Sequence, residues 1–140
     1  MPGSRRNVQA RSQPAKSKIF WSSSMLKQTL TKFLVINGVQ AAIVVEENGE
    51  IIESIKSGII IDKNHLTSII STLMLDSKAT ALHFGNAPLS MVFVEYSDNF
   101  IILGPMAEEF YLVIIAKNTA NIGQITYEMK KNQEEIVSEL

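Results

Sequence analysis

At 140 residues, 46% of them hydrophobic and 19% charged, the chain can bury one ordinary core but is too short for two independently folded domains. A formal net charge of -1 gives no whole-molecule attraction for nucleic acid, and none is expected as a partner. The absence of cysteine excludes disulfides, thiolate metal sites and a cysteine nucleophile, and fits a cytoplasmic protein; no apolar run reaches the roughly 18 residues of a membrane span.

Charge is unevenly distributed. Residues 1–23 hold Arg5, Arg6, Arg11, Lys16 and Lys18 and no acid, whereas the remainder carries eight basic against fourteen acidic groups. This opening segment, rich in Ser, Gln, Arg and Pro, has no apolar periodicity before Ile19-Phe20-Trp21, and reads as a disordered basic tail. Its composition is shared by transit peptides, although no amphipathic helix is evident, and by segments that make weak contact with an anionic membrane surface. A domain is expected over residues 24–140.

Ser24 is a candidate N-cap for a first helix in which Leu26, Leu30, Phe33 and Leu34 recur at spacings of three and four, ending at Asn37-Gly38. Val39 to Glu46 and Glu50 to Lys56 then predict two strands joined at Asn48-Gly49, a dipeptide suited to the positive φ angles of a tight hairpin. Asp62 can cap a second helix to about His83, which Gly85 and Pro88 terminate. Leu89 to Tyr96, Phe100 to Met106 and Phe110 to Ala116 predict three further strands. A last helix follows Asn121, with Gln124 placed for a capping box and a stripe of Ile122, Ile125, Met129, Ile136 and Leu140.

The expected order is therefore α-β-β-α-β-β-β-α. Phe110 to Ala116 is apolar on both faces and belongs in the middle of a sheet covered on both sides, which predicts an α/β/α sandwich around a five-stranded, mainly antiparallel sheet.

The second helix carries the clearest functional signal. On a helical wheel Leu66, Ile69, Ile70, Leu73 and Met74 face the sheet, leaving Ser68, Ser71, Leu75, Ala79 and Leu82 on the opposite side, with no charged residue from Asn64 to Leu75. A solvent-facing helix normally carries charge there, and small residues instead admit a second helix. The next strand alternates Leu89, Met91 and Phe93 with Val92, Val94 and Tyr96, an apolar edge that pairing with its own copy would cover. The expected homodimer interface is therefore Ser68, Ser71, Leu75, Ala79, Leu82, Leu89, Met91, Val92, Phe93 and Val94. Burial of the helix within one subunit is the alternative.

From about Met25 to Leu140 the sequence resembles the roadblock/dynein light chain family, including its MglB-type members. The resemblance rests on Val39-Gln40-Ala41-Ala42-Ile43-Val44-Val45, then Asn48-Gly49-Glu50-Ile51-Ile52, and Asp62 opening a long helix. Phe100-Ile101-Ile102-Leu103-Gly104-Pro105-Met106, Phe110-Tyr111-Leu112-Val113-Ile114-Ile115 and Asn121-Ile122-Gly123-Gln124-Ile125 follow in order. It implies a homodimer or heterodimer in which second helices pack together and neighbouring strands join two sheets. It also implies binding to a Ras-like small GTPase, or service as an adaptor in a larger complex. The segment before Ser24 has no counterpart in the family domain.

Catalytic motifs are missing. There is no phosphate-binding loop of the G-x-x-x-x-G-K-[ST] kind and no G-x-G-x-x-G turn. His65 and His83 lie eighteen residues apart on one helix, too far to share a metal at about 1.5 Å rise per residue. Glu46-Glu47 and Glu108-Glu109 read as solvated turn acids, and Ser22, Ser23 and Ser24 have no neighbouring histidine base. All three arginines precede residue 12, so the domain itself has no arginine to insert into a GTPase site. The expected protein is a non-enzyme without cofactor or metal, regulating or scaffolding a small GTPase. A structural adaptor or a profilin-like sensor of a small ligand are the alternatives.

Overall fold

Leu26, Leu30 and Phe33 fall on one stripe and are fully buried, which fixes the first helix, α1 (residues 25–34), against the sheet. The structure, a computed structural model, describes residues 25–140; the tail assigned to residues 1–23 and the Ser24 cap lie outside the described residues. Five strands follow in the expected order: β1 (Val39–Glu46), β2 (Ile51–Lys56), β3 (Val92–Glu95), β4 (Asn99–Ala107) and β5 (Phe110–Lys117). They form one antiparallel sheet in the order β2-β1-β5-β4-β3. The strand that is apolar on both faces, β5, is the central one, and Tyr111 to Ala116 are all buried.

The β1–β2 hairpin turns at Asn48-Gly49. Gly49 takes φ +90, the Glu50 amide donates to Asn48 Oδ1 at 2.9 Å, and the Gly49 amide donates to the Glu46 carbonyl at 2.8 Å. Helix α2 (Lys63–Ala81) begins as expected at Asp62, whose carboxylate accepts from the His65 amide at 3.1 Å. It passes into a 3₁₀ turn, Leu82–Phe84, rather than continuing as α-helix to His83, and Gly85 in the left-handed region ends it.

The last helix is divided. Asn121 caps α3 (Ile122–Lys131) by accepting from the Gln124 amide at 2.9 Å. At Asn132 the backbone turns to φ -96, ψ 4, and its buried side chain donates to the Glu128 carbonyl, after which α4 (Gln133–Ser138) begins. Ile125, Met129 and Ile136 of the expected stripe are buried, whereas Ile122 and Leu140 remain exposed at its ends.

Two cores result, one on each face of the sheet. Leu26, Leu30 and Phe33 join Ile125, Met129 and Ile136 over Ala42, Val44, Ile102, Leu112 and Ile114. On the opposite face Leu66, Ile70 and Met74 of α2 cover Ala41, Ile43, Val45, Leu103 and Val113. The architecture is an α/β/α sandwich.

Candidate protein–protein interface

Helix α2 buries only Leu66, Ile70 and Met74. Its outward side carries Ser68, Leu75 and Ala79, and Leu82 extends that side into the 3₁₀ turn; all four are exposed, Leu75 and Leu82 to 70% each. Leu75, Ala79 and Leu82, spaced by four and three residues, share one side of the helix, so the exposed apolar side chains are grouped rather than scattered. Phe84, 72% exposed at the end of the same turn, and Ile69, 41% exposed, are further open apolar side chains of this segment. Ile69 was expected to face the sheet; it lies at the flank of the buried stripe, and the narrow α2 contact leaves it half-open.

Ser71 differs from its expected place. It is half-buried beneath the β1–β2 turn, where its hydroxyl donates to the Asn48 carbonyl at 2.7 Å, so it faces the turn and not the outer surface. The wheel angle alone placed it outward because the hairpin that folds over this flank comes from another part of the chain.

The neighbouring strand is shorter than expected. Only Val92–Glu95 pair with β4, in the register Val92↔Leu103 to Glu95↔Phe100, and β3 forms an edge of the sheet with no strand beyond it among the described residues. Leu89 and Met91 belong to the incoming link: Leu89 packs on the α2-side core and Met91 on the opposite core. Val92 and Val94 are half-buried, and Phe93 is exposed on the α1 side, its ring tilted 42° against Phe100 at 5.4 Å between centroids. The ten residues read from sequence thus divide into an outward helix face, a free strand edge, and three, Ser71, Leu89 and Met91, that are mostly engaged within the subunit.

Beside α2 lies an open apolar cleft of about 610 Å³, with Met74, Leu75, Leu82, Pro88, Leu89 and Tyr111 among its walls. Tyr111 is buried beneath it, and desolvation raises its phenol pKa above the ordinary value of 10.0. The two acidic pairs, remote in sequence, meet at this end of the sheet: the Glu47 amide donates to the Glu109 carbonyl at 2.9 Å, and Glu46, Glu47 and Glu109 line one hollow. The missed signal was the pairing of β1 with β5, which sets Glu46 opposite Phe110 and brings both turns together. Among the described residues no three His, Cys, Asp or Glu groups are arranged to hold a metal ion, and no helix is long and apolar enough to cross a membrane.

A family model described as the Roadblock/LC7 domain matches residues 25–116, well over half of the chain. The chain belongs to the Roadblock/LC7 family. Solved structures agree at the level of fold. A Roadblock/LC7 domain from Streptomyces avermitilis shares 15% identity, with a TM-score of 0.64, over 84% of this chain and 93% of that one. Myxococcus xanthus MglB shares 18% identity, with a TM-score of 0.74, over 82% and 86%. An MglB solved in a tetrameric arrangement shares 15%, with a TM-score of 0.73, over 84% and 89%. A search of curated proteins by sequence returned no match. In this Roadblock domain the outward α2 face and the β3 edge belong to consecutive elements of the chain.

Proposed function

We propose that this protein is a non-catalytic, homodimeric Roadblock module that binds a Ras-like small GTPase and regulates or scaffolds it. The observation that carries this reading is the outer face of α2: Leu75 and Leu82 stand open to water in a single subunit, on the side of the helix that also carries Ser68 and Ala79, and the next strand in the chain, β3, is an edge of the sheet. Burying two leucines that are mostly exposed contributes about 1.5–3 kcal/mol each, and a strand edge gains backbone hydrogen bonds when it meets its copy. Self-association is further supported by the similar MglB fold solved in a tetrameric arrangement.

A two-fold dimer presents paired copies of α2, so a GTPase seated across them meets both subunits and one GTPase binds per dimer. Residues 25–140 contain no arginine, so any acceleration of GTP hydrolysis by them works by positioning the GTPase's own switch residues and not by inserting an arginine. No nucleic acid, cofactor or metal enters this reading, and the module acts in the cytoplasm.

The test is turnover by a Ras-like GTPase, with co-purification on GDP and on a non-hydrolysable GTP analogue. Nucleotide-dependent binding with changed turnover fits a regulator, binding without changed turnover a scaffold. No binding to any GTPase tested in either nucleotide state removes the reading in favour of a structural adaptor.

A further inference from the structure

The β1–β2 turn presses against α2 more closely than a side chain would permit. A Cβ at Gly49 would stand 2.6 Å from the Thr67 carbonyl oxygen and 2.6 Å from Ser71 Oγ, with Thr67 Cγ2 at 3.1 Å. The carbonyl belongs to the helix backbone and cannot swing aside. The same turn also holds α2 by two polar contacts: Ser71 Oγ donates to the Asn48 carbonyl at 2.7 Å, and Lys78 pairs with Glu47. Glu47 in turn rests on the β4–β5 turn through the hydrogen bond its amide donates to the Glu109 carbonyl. The turn therefore touches the helix at three levels, at Thr67, at Ser71 one turn on and at Lys78 two turns further, along the flank next to its outward face.

We infer that Glu47-Asn48-Gly49 is a seat that sets the height and tilt of α2 over the sheet, and so positions Leu75, Ala79 and Leu82 for their partner. The seat itself follows from the distances within one subunit; its consequence for pairing rests on the dimer reading above. The three buried residues of α2 give it one line of contact with the sheet, and the turn adds a second contact on the flank. Gly49 is needed here twice, for its φ of +90 and for the close approach.

Gly58 supplies the control. It also has positive φ, +69, but a Cβ there meets no atom within 4 Å. Gly58→Ala therefore reports backbone strain alone, and Gly49→Ala reports strain together with displacement of the turn from α2. Two measurements are made on the full chain: hydrogen exchange of the α2 amides and the dimer dissociation constant by sedimentation. Gly49→Ala is expected to speed exchange across residues 63–81 and weaken the dimer about tenfold, with Gly58→Ala changing each less than about twofold. Ser71→Ala, which adds no bulk, is expected to speed exchange in the same segment to a smaller degree, and it stands in if Gly49→Ala does not fold.

Equal effects of Gly49→Ala and Gly58→Ala, or unchanged α2 exchange in both Gly49→Ala and Ser71→Ala, would overturn the seat. Faster exchange with an unaltered dissociation constant would overturn its role in pairing. A wild-type chain that sediments as a monomer defeats the dimer reading, while the exchange comparison still decides the seat.

Discussion

The two faces of the sheet are covered in different ways. On one, α1, α3 and α4 lie together and are tied to one another and to the sheet: Thr29 Oγ1 donates to Glu139 at 2.7 Å, Lys32 pairs with Glu135 at 2.6 Å, and Gln133 donates to the Met106 carbonyl at 2.7 Å. On the other, α2 lies alone, held at one flank by the β1–β2 turn, with a cleft beside it and leucines on its outer side. The first face is finished within the subunit, whereas the second presents apolar surface of the kind a partner covers. A single helix placed on a sheet with an open strand edge is the feature on which the proposed docking rests.

That contrast can be broken by substitution in the two cores. Phe33→Ala, in the closed core, should cost about 3–5 kcal/mol of unfolding free energy by urea titration, because three helices and the sheet hold the cavity open. Met74→Ala, on the α2 face, should cost about 2 kcal/mol, near the lower end for such a truncation, because Met74 borders the cleft and its neighbours can settle into the space. Equal losses would mean that the two cores are equally tight.

The helix caps sharpen the same comparison. Asn121→Ala and Asp62→Ala each remove a side-chain acceptor from a first turn and should each cost about 1 kcal/mol in thermal melts. The Asp62 loss should appear as faster amide exchange in α2 well before global unfolding, whereas the Asn121 loss should track global unfolding, since α3 is locked to α1 through α4.

The smallest effect concerns Tyr111 under the cleft. Its folded pKa is raised above the ordinary 10.0 by desolvation, so the neutral phenol is favoured in the folded state. The associated stability is complete below pH 10 and is lost as pH rises from the unfolded value through the raised one. Tyr111→Phe should remove this contribution to the alkaline decline in melting temperature. An unchanged decline would show that the phenol is solvated through the cleft.

Much of this arrangement is legible in particular residues. A strand apolar on both faces, Phe110 to Ala116, belongs at the centre of a covered sheet, and β5 is there. Asn48-Gly49, Asp62 and Asn121 each act locally, through backbone conformation or a side-chain bond two or three residues away, and each is found in its expected role. What could not be read depends on contacts distant in sequence. Leu89 to Met91 alternate like a strand, but pairing with β4 stops at Val92↔Leu103, so β3 starts at Val92. Ser71 points to the hairpin because Asn48 and Gly49, more than twenty residues earlier, fold against that flank. The exposure of Leu75, Ala79 and Leu82 was legible because helical periodicity separates them by angle from the buried stripe, while that of Phe84 and Ile69 was not.

The claim that the outer face of α2 joins two copies of the chain is tested most directly by light scattering on the wild type and Leu75→Asp, with thermal melts of both. Leu75 is 70% exposed in one subunit, so aspartate there should change subunit stability by no more than about 0.5 kcal/mol. In a dimer it would bury an unpaired charge at a cost of several kcal/mol. The account predicts a dimeric wild type at micromolar concentration and a folded, monomeric Leu75→Asp chain. A wild type that scatters as a monomer, or a Leu75→Asp chain that remains a dimer with undiminished affinity, would contradict it.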